Sequence, residues 1–189
     1  MKRTIFNLCT LLFLGLLLAS GCTTTASSQP VSYQVGDLGP AGGLVFFDKG
    51  EASDGWRYLE AAPARTEVLA AWGKGSEAAK TDTSIGSGKT NTEMLFEANP
   101  TDSGSAPNVC AELTVKGYDD WFLPSKDELS LLFTNLARTG KETFRGEGYA
   151  YWSSSSYDED RAWAQGFFTG VQGRVETSEL LAVRAVRAF

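Results

Sequence analysis

From residue 151 onward the apolar residues of this chain come only in short runs, and that pattern restricts its fold more than any other feature. Residues 151–154, 162–168, 173–176 and 181–187 are β-like and are separated by Gly, Ser, Asp and Glu. Runs this brief between turn formers read as short strands of a small antiparallel sheet. Within the last run Val183 and Val186 differ by an odd step, so a regular strand would point them to opposite faces. Either both faces are covered or the strand carries a bulge.

Upstream, residues 44–48 and 56–61 are aromatic-rich runs around Gly, Ser and Asp, which predicts a β-hairpin. Residues 67–89 hold Gly and Thr throughout and read mostly as loop. Residues 92–97 suggest a short helix ended by Asn99-Pro100, and Pro107 can open another through Val109, Cys110 and Leu113. Ser125-Lys126-Asp127-Glu128 is a capping box, followed by Leu129, Leu132, Phe133 and Leu136 at helical spacing. The order of hairpin, helices and small sheet predicts an α+β domain. Pairing of its N- and C-terminal strands would fit the pattern.

The N-terminus predicts export. Lys2 and Arg3 precede the apolar residues 8–19, and small residues 19–21 precede Cys22, the layout of a cleaved signal. The apolar run is too short for a permanent span. The sequence Leu18-Ala19-Ser20-Gly21-Cys22 resembles the lipobox of bacterial lipoproteins, which implies a diacylglycerol on Cys22. Ala19 stands where the usual lipobox has Leu. An ordinary secretory signal cut near Gly21 is the alternative. The expected organisation is a signal over 1–21, a flexible Thr/Ser-rich tether over 22–32 with lipidated Cys22, and one domain over 33–189. The expected location is the cell envelope, lipid-anchored, at the outer membrane or cell surface.

The formal charge of −6 grows two units more negative once Lys2 and Arg3 leave. Nucleic acid is therefore not an expected partner. Cys9 leaves with the signal and Cys22 is the lipidation site, so Cys110 stands without a disulfide partner. With no histidine anywhere, the commonest general base and zinc ligand are missing. Cys110, beside Val109 and near Leu113, reads as a buried small hydrophobe rather than a nucleophile. Gly86-Ser87-Gly88-Lys89-Thr90 invites a phosphate-binding reading, but Thr83 occupies the position where a full P-loop needs its first glycine. It reads as an ordinary turn before a helix. Asp119-Asp120 and Asp158-Glu159-Asp160 have oxygen ligands for a hard cation but lack EF-hand spacing, and read as solvated loop acids. Trp121, Trp152 and Trp163 read as core. The polar stretch from Tyr157 to Arg161 is either a binding surface or a solvated hairpin loop. No metal and no cofactor is expected.

A longer set of motifs carries a family resemblance. Residues 117–129, Tyr151-Trp152-Ser153-Ser154-Ser155, Ala162-Trp163, Gly170 and Val183-Arg184-Ala185-Val186-Arg187 resemble the Lcl C-terminal domain family, found at the C-terminus of a collagen-like adhesin. The resemblance spans most of residues 33–189. That family is similar to the C-type-lectin-like fold shared with formylglycine-generating enzymes and the variable proteins of diversity-generating retroelements. The resemblance implies a compact C-type-lectin-like domain with two main helices, small antiparallel sheets and a loop-rich ligand surface. The segment matching the variable residues of the retroelement proteins holds Tyr157, Asp158, Glu159, Asp160, Arg161, Phe168, Thr169, Gln172, Arg174, Glu176 and Glu179. The calcium-dependent sugar signatures of true C-type lectins do not occur, nor does the cysteine pair of the formylglycine-generating enzymes. The expectation is a non-catalytic, membrane-anchored domain binding a protein or glycan ligand, with a structural envelope protein or an enzyme on the same scaffold as alternatives.

Overall fold

The computed structural model describes residues 31–73 and 80–189. The expected leader, the lipidation of Cys22 and all but the end of the tether lie outside the described residues, as do residues 74–79. Ser32–Phe189 form one folded unit.

The predicted hairpin is present as β1 (Leu44–Ser53) and β2 (Trp56–Ala61), paired antiparallel. β1 runs on past Asp48, where the expected run ends. It reaches a two-residue turn at Asp54-Gly55, where both φ angles are positive, the geometry that turns a hairpin in register with strand twist. The register slips between Asp48 and Ser53, so the extension is irregular. A short strand β3 (Val68–Ala70) crosses the stretch expected to be loop.

Three helices follow. α1 (Gly88–Ala98) starts four residues before the expected Thr92, taking in the Gly-Lys-Thr sequence. α2 (Ala106–Ala111) is opened by Pro107 as expected but is only six residues long. α3 (Lys126–Leu132) begins at the capping box and continues as a wider π turn over Phe133–Ala137. Arg138 donates there to the carbonyl of Phe133 at 2.9 Å, and Asn135 donates its side-chain amide to the carbonyl of Phe46 at 2.9 Å.

The remaining strands are β4 (Ala150–Ser156), β5 (Arg161–Gly166), β6 (Gln172–Glu176), β7 (Leu181–Val183) and β8 (Val186–Ala188). They complete two sheets, ordered β1-β2-β8 and β3-β7-β4-β5-β6. The C-terminal strand pairs with the N-terminal hairpin, Leu59 opposite Ala188 and Ala61 opposite Val186. Not every pairing is antiparallel: β7 returns to insert beside β4, and that contact is parallel.

The odd spacing of Val183 and Val186 has a third explanation. The chain changes sheets between them, so each valine faces inward in a different sheet. Val183 packs in a core around Trp72, Trp121 and Trp152, and Val186 in a second core around Phe46, Leu59, Leu129 and Leu132. Residues 184 and 185 make the crossing. The first core is locked by reciprocal indole bonds, Trp72 Nε1 to the carbonyl of Ser153 at 2.7 Å and Trp152 Nε1 to the carbonyl of Ala70 at 3.0 Å. Buried indoles need such acceptors.

Arg184, at the crossing, is fully buried. Its Nη1 donates to Glu67 at 2.7 Å, its Nη2 pairs with Glu142, and its guanidinium lies over the Phe144 ring. Arg187 holds Asp120 through Nε at 2.7 Å and Nη2 at 2.8 Å. Both arginines of the terminal Val-Arg-Ala-Val-Arg motif are thus structural staples, not part of a basic surface.

Candidate functional site

Three of the suggestive sequence features are occupied by structure. The Gly86–Gly88 turn points its amides at a carboxylate of the chain itself. Glu128 accepts from the amide of Ser125 at 2.7 Å, closing the capping box, and from the amide of Gly86 at 2.8 Å. One buried side chain therefore serves the first turns of two helices. A Cβ at position 88 would stand 2.2 Å from Glu128 Oε2, so only glycine admits the carboxylate. The Gly86 amide is thus taken by Glu128 and the Ser87 amide by the carbonyl of Ser84. Burial holds the Glu128 carboxyl above its usual value, against the lowering effect of the amides it accepts from.

Asp120, read as a solvated acid, is instead gripped by the Arg187 fork. Burial opposes its ionisation, but the arginine outweighs this and keeps its pKa below the ordinary value. Cys110 is 1% exposed, and burial pushes its thiol well up. It has the environment of a packing residue. The Ser153-Ser154-Ser155 triplet is buried and ties elements together: Ser154 accepts from Asn91 on α1, Ser155 Oγ accepts from the amide of Lys126 on α3 at 3.0 Å, and Ser153 Oγ donates to the carbonyl of Trp163.

The residues expected to face a ligand lie along the β5–β6 hairpin but do not form one cluster. At one end, in the β4–β5 turn, Asp158 accepts from the amides of Asp160 and Arg161 and pairs with the Arg161 guanidinium, Nε to Oδ2 at 2.9 Å. Arg161 keeps the Asp158 carboxyl below its usual range. Glu159, Asp160 and Glu176 border an open depression beside this pair. Glu179 lies just beyond, its amide bonded to the carbonyl of Glu176. Phe168 and Thr169 sit past the other end of β5, about 17 Å away along the strand. Phe168 is exposed, and Thr169 Oγ1 accepts from the amide of Val171. Gln172 is turned toward the start of α3, donating to the carbonyl of Lys126 at 3.0 Å.

The middle of the hairpin carries the feature that sequence reading missed. Arg161, Trp163 and Gln165 on β5 stand opposite Glu176, Arg174 and Gln172 on β6. Strand alternation puts all six on one face, with Ala162 and Ala164 packed into the core on the other. Trp163 is therefore only partly buried, on the outer face, and is not a core tryptophan like Trp121 and Trp152, correcting the sequence reading. Arg174 lies 4.2 Å over the Tyr157 ring and 5.5 Å from that of Trp163, and donates Nη1 to the Tyr157 hydroxyl at 2.8 Å. Tyr157 meets Trp163 edge-on at 5.6 Å, and Lys126 Nζ approaches the Trp163 ring at 4.9 Å. Among the described residues no carboxylate pairs with Arg174 within 4.0 Å. The result is an exposed cation fixed by two aromatic rings. The signal that could have found Trp163 was the alternation Arg-Ala-Trp-Ala-Gln over 161–165.

Among the described residues no group of three or more His, Cys, Asp or Glu side chains is placed to hold a metal ion. No described helix is long and apolar enough to cross a membrane. Two further clefts flank the first turn of α1 and share Lys89 and Phe122, one reaching Trp121 and the other Trp56.

Residues 65–187 match the family model of the Lcl C-terminal domain. The search of curated proteins found no match.

Proposed function

The chain belongs to the Lcl C-terminal domain family, and on that premise we propose that it is an envelope lipoprotein, anchored through Cys22, whose domain binds a protein or glycan ligand without chemically altering it. The fold is read as C-type-lectin-like, supported by the pairing of β8 with the N-terminal hairpin and by the loop-rich second sheet. The leader over residues 1–21 and the lipobox-like sequence before Cys22 support export and anchoring at the outer membrane or cell surface. A non-catalytic role is supported by the chain's lack of histidine and by the burial of Cys110.

One observation carries the binding role. Arg174 is exposed, held over Tyr157 and beside Trp163, and has no carboxylate partner among the described residues. Arg, Tyr and Trp are the residue types in which binding energy concentrates, and a preset guanidinium loses little entropy on contact. The ligand surface is thus Tyr157, Trp163 and Arg174, flanked by Lys126 and the Asp158–Arg161 pair. Phe168 and Thr169 lie outside it.

The test is a screen of purified full-length protein against glycans and matrix proteins, followed by Tyr157→Ala and Arg174→Ala. Each substitution should weaken binding by about 2 kcal/mol, roughly thirty-fold, with unchanged thermal stability. If both variants bind every detected ligand as the unsubstituted protein does, the assigned surface is wrong.

A further inference from the structure

The edge of the second sheet bears on self-association. β6 is its terminal strand and pairs only with β5 among the described residues. Two backbone bonds fix which way its peptide groups point. The amide of Thr177 donates to the carbonyl of Asp160, and the amide of Gly166 donates to the carbonyl of Val171. Antiparallel pairs alternate between bonded and non-bonded. Residues 171, 173, 175 and 177 therefore direct their peptide groups at β5, and Gln172, Arg174 and Glu176 direct theirs outward.

Arg174 and Glu176 are both exposed, and neither has an ion pair within 4.0 Å among the described residues. Their two-residue spacing puts them on one face of the strand. Charges on an edge strand ordinarily blunt it against pairing. For this strand the effect depends on register. Antiparallel pairing with a second β6 centred on residue 174 would set Arg174 against Arg174, and centring on 176 would set Glu176 against Glu176. Centring on Val175 sets Arg174 opposite Glu176 twice and joins residues whose peptide groups already face outward.

We propose that β6 is a self-complementary edge through which two copies of this chain pair antiparallel about Val175, forming a two-fold dimer with a ten-stranded continuous sheet. The occupant of the edge is a second copy, because of the registers centred on 174, 175 and 176 the one about Val175 alone sets Arg174 against Glu176 rather than like against like. The strand's five residues fall short of the roughly 1,200 Å² typical of stable interfaces, so the dimer is weak in dilute solution. The ligand surface uses the face of the sheet and the dimer its edge, but Arg174 takes part in both, so the variant that separates the two roles is one at Val175.

Disulfide trapping tests the pairing in the full-length protein. In the dimer Val175 faces its own copy in a non-bonded pair, with Cα atoms about 4.5 Å apart, within disulfide range. Val175 lies on the core side of the sheet, away from Tyr157 and Trp163, so this variant leaves the ligand surface intact. Under mild oxidation Val175→Cys should give a covalent dimer at least five-fold more abundant than Gly173→Cys, whose opposite residue would be Thr177. Equal or absent crosslinking at the two positions overturns the proposal. As a second reading independent of cysteine, sedimentation should show association lost in Arg174→Glu and regained when Glu176→Arg is added. Failure of the double variant to regain it would also overturn the proposal.

Discussion

Glu128 is the residue on which most of the local architecture converges, since one buried carboxylate takes amides from the starts of both α1 and α3. Truncation would leave the buried Ser125 amide unpaired, while the Gly86 amide lies in an exposed turn and can meet water. An orphaned buried group costs about 1–3 kcal/mol, so Glu128→Ala should lose about that much in chemical denaturation. The same residue gives a pH signature of definite sign. Its folded pKa lies above its unfolded value, so between the two the folded state holds the extra proton. Its contribution to stability is then full below the ordinary carboxylate value and declines as pH rises through the folded one. Glu128→Gln should flatten that decline relative to the unsubstituted protein, measured as the difference in denaturation midpoint across the acid range. The parent's midpoint minus that of Glu128→Gln should rise as pH falls, and a difference that shrinks with falling pH would contradict the assignment. The capping-box half of this role was legible in the sequence because Ser125 and Glu128 are three residues apart. The Gly86 half was not, because the contact spans 42 positions and depends on how two helices meet.

At the level of elements, the decisive event is the change of sheet between β7 and β8, stapled by Arg184. Its pairing with Glu67 joins the crossing to the start of β3, and its pairing with Glu142 joins it to the segment after α3. Glu67 also accepts from the Tyr151 hydroxyl at 3.0 Å. Removing one member of a buried ion network leaves uncompensated charge and costs about 3–5 kcal/mol. Arg184→Met should therefore lower the melting temperature by about 10 °C, using 2–4 °C per kcal/mol for a domain of this size. A variant melting within a degree or two of the parent would refute the staple. The hairpin, the capping box and the strand-like runs could be read locally, since each depends on neighbours within a few residues. Period-two logic also flagged Val183 and Val186 as anomalous. It offered only a bulge or two covered faces, because nothing within a five-residue run announces that a strand will leave one sheet for another. The burial of Arg184 was hidden for the same reason: its partners, Glu67 and Glu142, are remote in sequence. Trp163 differs, because the alternation of Arg161, Trp163 and Gln165 with two alanines was available and outweighed by the prior that tryptophans lie inside.

For the whole molecule, the chain combines a stapled two-sheet domain with an exposed face on its second sheet, and the proposed lipid at Cys22 would deliver that face to a membrane surface. Two or more acyl chains would anchor it without a spanning helix. Mass spectrometry of the mature protein should find its N-terminus at Cys22 carrying diacylglycerol, and an unacylated Cys22 would remove the membrane from the account. The proposed ligand surface is narrower than the one the sequence outlined. It gathers Tyr157, Arg161 and Arg174, adds Trp163 and Lys126, and leaves Phe168 and Thr169 at the far end of the hairpin. Hydrogen–deuterium exchange of the full-length protein, with and without the ligand identified by screening, tests this surface most directly. Protection on binding should concentrate in residues 157–163 and 172–176; protection confined to the clefts beside Lys89, with the β5–β6 hairpin unchanged, would contradict it.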